Sequence, residues 1–462
     1  MSKFLGIQFT LAAVQYEGIH QVLDNIQNAG GRAICTGLSL VQPVAEGNGR
    51  RMPPLDIDGY ERLLDRPLWG KRELWLRGYL AHEPDLELFA HTPYHPNSAP
   101  VPPELDRELP HKVLAEAHAR KMRAYIQISP TTIPGLKAED QVHYIDGSLP
   151  DPHRRVARQG CLNNPAVKNY ILALIRDTVR HYPETDGLFL DWVEFTPYDL
   201  RDHFSCTCSH CAKQAQEWGY NWPQILHSLQ HTWEALHHLS CQDLARIQRL
   251  LEHPSELLEL FQSWPGWLDF WRFKAQTVSQ LYQEIRQVMD EEGAKSMELG
   301  ANGWCPPLNR SSGMDYRTLG RICNVLRPKL FTFHWSVLPR WYGQVLLQWN
   351  PQLPERFLLD TLVSCLDIPD SIPSRSFAHY HIPAPNEPHP AREETWRIKI
   401  DEVLAQVENP ERVYVSAHSY RPLEQWKRMV AILRDSPVPG MWVTRYGYLS
   451  DAKLDALKNI WN

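Results

Sequence analysis

DGLFLDWVEFTPYDLRDHFSCTCSHC, residues 186–211, contains a short apolar run (Leu188, Phe189, Leu190) that stops at a carboxylate, Asp191, with a second carboxylate, Glu194, three residues on. A polar loop then carries Cys206, Cys208 and Cys211. An apolar run ending in an acid is how a strand buried in a parallel sheet delivers a carboxylate to the mouth of a site. The C-x-C-x-x-C spacing lets short turns bring three thiolates within bonding distance of one tetrahedral ion.

Outward from this segment, apolar runs alternate with helix-period stretches along the whole chain. Strands are expected at 4–9, 32–38, 123–128, 187–193, 296–301, 329–335, 413–417 and 441–444, each followed by a helix or an elaborated loop. In the segment CLNNP, Asn163 or Asn164 can cap a helix with Pro165 in its first turn, and that helix leads into the 187–193 strand. Eight such units predict an α/β fold, a (β/α)8 TIM barrel, with long loop insertions after strands 2 and 4. The chain is read as a single barrel domain over 1–462, with an elaborated insertion at 39–110 and a cysteine loop and helical insertion at 206–265. A doubly wound open sheet is the alternative. It gains no support, because no G-x-G-x-x-G follows a strand and no G-x-x-x-x-G-K-[ST] occurs.

Composition narrows the functional classes. A net charge of -6 over 462 residues, without a dense Lys/Arg run, offers no field for phosphate backbones or anionic lipid. Nucleic acid and membrane are therefore not expected as partners, and no run of about eighteen apolar residues is present to span a bilayer. The first residues, MSKFLGIQFTLAAVQYEG, meet Gln8, Gln15 and Glu17 early and are read as a first strand, not a signal. Nine cysteines, an odd number unevenly spread, fit reduced thiols in the cytoplasm, some of them holding metal, better than disulfides. A homo-oligomer is compatible with this reading.

In a barrel, chemistry gathers on the loops at the carboxyl ends of the strands. The residues that emerge there are Asp191 and Glu194 after the fourth strand, Asn302 and Trp304 after the fifth, and His334 and Trp335 after the sixth. His418 and Tyr420 follow the seventh, and Arg445 and Tyr446 the eighth. Tryptophans beside prolines and polar residues, such as Trp304, Trp335 and Trp341 among 17 in all, have the flat apolar faces that suit the C–H faces of sugars. Two neighbouring carboxyls in an apolar site can split their titrations, one keeping its proton and the other ionised, as glycosidic cleavage requires. His379 and His381 have the alternating spacing of metal ligands but no evident third partner, which leaves a metal-dependent hydrolase built on them and His418 as a weaker alternative.

CLNNPAVKNYILALIRDTV, DGLFLDWVEF, CTCSHC and WLDFWRFKAQTV together resemble the barrel of hypothetical glycoside-hydrolase-like families and, more distantly, of family 42 β-galactosidases. The resemblance spans Cys161 to about Val278. It implies a (β/α)8 glycoside hydrolase acting on an oligosaccharide or glycoconjugate, with a structural zinc held by Cys161, Cys206, Cys208 and Cys211. It also implies an acid/base glutamate after the fourth strand, a role open to Glu194. The seventh strand departs from the pattern: VYVSAHSYRP has no carboxylate near His418, where the family places its nucleophile. On the register of α-amylase-like and α-galactosidase-like barrels, DGLFLD makes Asp191 the nucleophile or base, with Glu194 or Glu298 as its partner. Without a second conventional catalytic carboxylate, a barrel that binds carbohydrate without cleaving it is the competing reading.

Overall fold

The computed structural model describes residues 3–55, 61–152, 159–372 and 375–461. Its centre is a closed barrel of eight parallel strands: β1 (Phe4–Gln8), β2 (Ala33–Thr36), β6 (Arg123–Ile128), β7 (Gly187–Leu190), β8 (Glu298–Trp304), β9 (Val325–Leu330), β10 (Tyr414–His418) and β11 (Gly440–Thr444). Each strand pairs with the next in that order, and β11 closes on β1 with Thr444 opposite Gln8. The expected barrel fold is present. The excursion after β2 forms a small antiparallel sheet of β3 (Ser39–Val44), β4 (Arg50–Met52) and β5 (Leu74–Leu80), in the order β3-β5-β4. After β7, four helices between Ser209 and Ser263 precede the 26-residue helix Gly266–Glu291.

Strand alternation sends every second side chain into the lumen. One inner layer is aromatic: Tyr125 stacks on Phe189 at 4.6 Å, and Trp442 meets Phe189 edge-on at 4.9 Å. Glycine is required beside these rings. A Cβ on Gly300 would lie 2.1 Å from the Phe189 ring, and one on Gly6 would lie 2.4 Å from Trp442. The next layer is polar. Arg327 reaches across the lumen to Gln8 (3.3 Å) and Gln127 (3.4 Å), while its guanidinium lies 4.5 Å from Phe189 and 4.8 Å from Trp442.

Three strands differ from expectation by three residues or more at an end, the fourth stopping at Leu190 instead of 193. The sixth runs Val325–Leu330 instead of 329–335, and residues Thr332–Trp335 form a helical turn. Arg327, Pro328 and Lys329 interrupt the apolar pattern by which a strand is read, whereas the run FTFHW imitates one. The fifth runs Glu298–Trp304, so Asn302 and Trp304 lie inside the strand's carboxyl end.

Candidate active site and cysteine cluster

Counting from Gly187 in β7, the inward positions are 187, 189 and 191, so Asp191 emerges over the lumen at the carboxyl rim. Strict alternation would turn Glu194 to the opposite side of Asp191. The chain avoids this at Trp192, whose φ of 68° is left-handed, an uncommon conformation for a bulky residue that functional sites often retain. The Trp192 carbonyl is fixed by Thr131 Oγ1 (3.0 Å) and Gln159 Nε2 (3.3 Å), and Gln159 also donates to the Glu194 carbonyl.

Both carboxylates converge on one ammonium. Lys329 Nζ, near the end of β9, lies 2.8 Å from Asp191 Oδ1 and 3.2 Å from Glu194 Oε1. It also sits 4.3 Å from the centre of the Trp192 ring. Glu194 is fully buried and Lys329 nearly so, whereas the Asp191 side chain keeps 17% of its exposure. Burial pushes the Glu194 carboxyl up to about 7. The Lys329 ammonium opposes the shift, the Asp191 charge adds to it, and a hydrogen bond from Ser312 opposes it again. Burial alone would lower Lys329, but the two carboxylates outweigh it and hold the ammonium above the usual lysine range.

A carboxyl whose pKa is raised on folding stabilises the fold most fully below its unfolded value, and that contribution is lost as pH rises through the folded value. For Glu194 the window runs from about 4.5 to about 7. Thermal unfolding measured from pH 5 to 8 should therefore show a falling melting temperature, with a flatter profile in Glu194→Gln. Equal slopes in the two proteins would contradict the assignment.

Aromatic rings roof this triad. Tyr198 lies 5.4 Å from Trp192, 5.1 Å from Trp304, 5.4 Å from His334 and 5.7 Å from Trp341. Trp304 and His334 are buried, and Trp192 and Trp341 are half-buried. Asn302 sits deeper, donating to Gln127 at 3.1 Å. On the other side of the mouth, His418 packs on Phe333 (4.6 Å) and Tyr448 (5.1 Å). Its Nδ1 accepts from the Tyr420 backbone N–H at 3.1 Å. Burial, with Arg62 and Arg445 nearby, holds His418 well below the usual histidine range and hence neutral. Arg445 is half-buried at this end of the barrel.

Three expected site residues lie elsewhere. Glu298 begins β8 opposite Gly187, four residues or about 13 Å along the strands from Asp191. There it pairs with Arg123 (2.9 Å) and accepts from Tyr125 Oη (2.8 Å), so it belongs to the amino-terminal rim and cannot partner Asp191. Tyr446 turns outward, donating to Glu17 Oε2 at 2.7 Å beneath the Arg66 guanidinium. Trp335 is buried in the main apolar core. The Tyr420 hydroxyl is also committed, donating to the Pro383 carbonyl at 2.9 Å. His379 is exposed and His381 pairs with Glu387 at 3.0 Å, and among the described residues neither joins His418 in a potential metal group. Reading the sequence missed Lys329, Tyr198 and Arg327. The signal for two of them was R-P-K, two cations spaced for one face of a strand.

The four cysteines do come together. Cys161 precedes the helix Pro165–His181, which Asn164 caps through Ala166 N–H at 2.9 Å. Its Sγ lies 3.4 Å from Cys208 Sγ and 3.5 Å from Cys211 Sγ. All four sulfurs lie within 4.8 Å of one another. The His143 backbone N–H (3.3 Å from Cys206 Sγ) and Asn163 Nδ2 (3.3 Å from Cys211 Sγ) point donors at the sulfurs. This largely buried cluster is able to hold a metal ion. Metal–sulfur bonds of about 2.3 Å in a tetrahedron separate sulfurs by roughly 3.8 Å, so the residues fit such an ion after small adjustments.

No protein-family model matches the chain, and no curated protein matches it in sequence. Solved structures do. The glycoside hydrolase domain of PgaB (BpsB) from Bordetella bronchiseptica matches with a TM-score of 0.54 and 12% identity, covering 100% of this chain and 99% of that one. The catalytic domain of β-amylase from Paenibacillus polymyxa matches at 0.49 and 9%, covering 99% and 97%. A β-galactosidase from the psychrophilic Marinomonas ef1 matches at 0.44 and 9%, covering 98% of this chain and 59% of that one. At these identities the likeness is one of fold alone.

Proposed function

We propose that the chain is a glycoside hydrolase acting on an oligosaccharide or glycoconjugate through Asp191 and Glu194, with a closed, structural four-cysteine zinc site beside them. The observation that carries this reading is the pair of carboxyls meeting on Lys329 at the carboxyl rim. One nitrogen contacts both, which keeps the bonded oxygens within about 6 Å of each other. That bound is compatible with two carboxyls straddling a glycosidic bond. Asp191, partly open to solvent, is suited to attack or stabilise the anomeric carbon. Glu194, with its pKa near 7, is suited to keep the proton that the leaving oxygen needs. Lys329 contacts and orients both acids.

The complete burial of Glu194 favours a second reading, a barrel that binds carbohydrate without cleaving it. A panel of aryl glycosides and reduced oligosaccharides, followed for both aglycone release and binding, separates the two. Turnover supports the hydrolase, and binding without turnover supports the alternative.

The sulfur cluster fits zinc because four thiolates leave no open position for water and favour soft tetrahedral coordination. Its role would be to tie the loop after β7 to the start of the helix Pro165–His181. Replacing Cys206 by serine should remove about one equivalent of zinc by elemental analysis and destabilise the fold by about 3 kcal/mol or more. Unchanged metal content would refute the assignment.

A further inference from the structure

We propose a second metal site, for a divalent transition-metal cation, formed by His82, Asp177 and His181 at the far end of the same helix. Asp177 and His181 are one helical turn apart on one face of Pro165–His181, and His82 comes from the segment that follows β5. One ligand atom from each residue lies within 4.8 Å of the other two. His82 Nε2 is 2.8 Å from Asp177 Oδ2; His181 Nδ1 is 3.4 Å from Asp177 Oδ1 and donates to the Asp177 backbone carbonyl at 2.8 Å, a bond it would give up to a metal. Adjacent ligands around an ion bound at about 2.0–2.1 Å are separated by roughly 2.9–3.4 Å, so these contacts already have the dimensions of a coordination shell.

Charge supplies the reason for a cation. The Asp177 carboxylate is fully buried, and its direct partners include the Asp85 backbone N–H at 2.9 Å and the two imidazoles. Those rings stand 4.2 Å apart, close enough for one divalent ion to meet both and the carboxylate. Nearby Arg180 is engaged with Glu292 at 2.7 Å and Asp85 at 3.4 Å. A metal ion bound to the two imidazoles and the carboxylate satisfies all three. The surrounding shell is that of a metal site, since His82 Nδ1 lies 3.1 Å from Tyr182 Oη, able to fix the ring. The negative end of the helix dipole adds to the attraction. His181 is 31% exposed, which gives an entry path and room for water in the remaining positions. Two nitrogens and one oxygen suit Zn2+, Co2+ or Ni2+ better than Ca2+ or Mg2+. The 17-residue helix separates this site from Cys161 by about 25 Å, so the two sites load independently.

The test is calorimetric titration of the purified full-length protein with Zn2+, alongside His181→Gln and His82→Gln. Wild type should take up one more equivalent than either variant, or bind it at least about tenfold more tightly. With Co2+, the weak visible bands of nitrogen and oxygen ligation should disappear in His181→Gln, while the near-ultraviolet thiolate band of the cysteine cluster persists. Equal stoichiometry and affinity in wild type and His181→Gln, whose partly exposed side chain is the safer substitution, would overturn the proposal and leave an imidazole–carboxylate pair alone.

Discussion

Lys329→Met is expected to destabilise the fold by about 3–5 kcal/mol, the cost of leaving a buried charge without its counter-ion. Lys329 Nζ is the cation on both Asp191 and Glu194, and Glu194 has no exposure through which water could replace it. Methionine preserves the length of the apolar stem while deleting the charge and its cation–π contacts with Trp192 and Trp304. Without the ammonium, which pulls Glu194 downward, the carboxyl pKa should rise beyond its present value near 7. The loss should consequently be greatest above neutral pH and smaller near pH 5, where Glu194 is protonated and only Asp191 lacks a partner. Combining Lys329→Met with Glu194→Gln should recover part of the stability, because the buried charge is then gone. Chemical denaturation of the four proteins at pH 5 and 8 measures this coupling directly. Strict additivity of the two substitutions would mean that the contact carries no energy.

The same lysine shows where a linear sequence stops being informative. Strands whose inner faces are apolar, such as Gly187–Leu190, or which sit between clear helices, such as Arg123–Ile128, can be found by pattern. The Val325–Leu330 strand cannot, since its inward residues Arg327 and Lys329 are cations placed there by partners on other strands. The partners of Lys329 are the acids after β7, 135 and 138 residues earlier in the chain, and nothing local announces them. Order along the chain identified the residues that leave each strand but not the direction of each side chain. Tyr446 follows β11 as expected, yet points away to Glu17. Trp304, a candidate sugar platform, ends the fifth strand and lies buried under Tyr198. The antiparallel sheet of β3, β4 and β5 was legible merely as an elaborated excursion, because Ser39–Val44 and Leu74–Leu80 are paired across 29 intervening residues. The cysteine cluster was easier to read, because three of its four members share one turn of sequence and the fourth is fixed by a capped, proline-started helix.

Asp191→Asn should lower kcat/KM by on the order of 10³-fold or more if the barrel hydrolyses glycosides, with little change in ground-state binding. Asparagine keeps the volume and one carbonyl acceptor for Lys329, so the fold should survive, but it supplies neither a nucleophile nor the negative charge that stabilises an oxocarbenium-like transition state. The Asp191 charge also pushes Glu194 upward; with it gone and Lys329 still present, the Glu194 pKa should fall below its value near 7. Wild-type activity should therefore decline as pH rises through about 7, as the acid loses its proton, and the residual activity of Asp191→Asn should decline at a lower pH. That displacement separates a catalytic pair from a substitution that merely disturbs the fold, which would reduce the rate without moving the limb. If Asp191→Asn turned over substrate at the wild-type rate, the carboxylates would be an ion-paired support for the barrel rim, and catalysis would have to be sought elsewhere on the molecule.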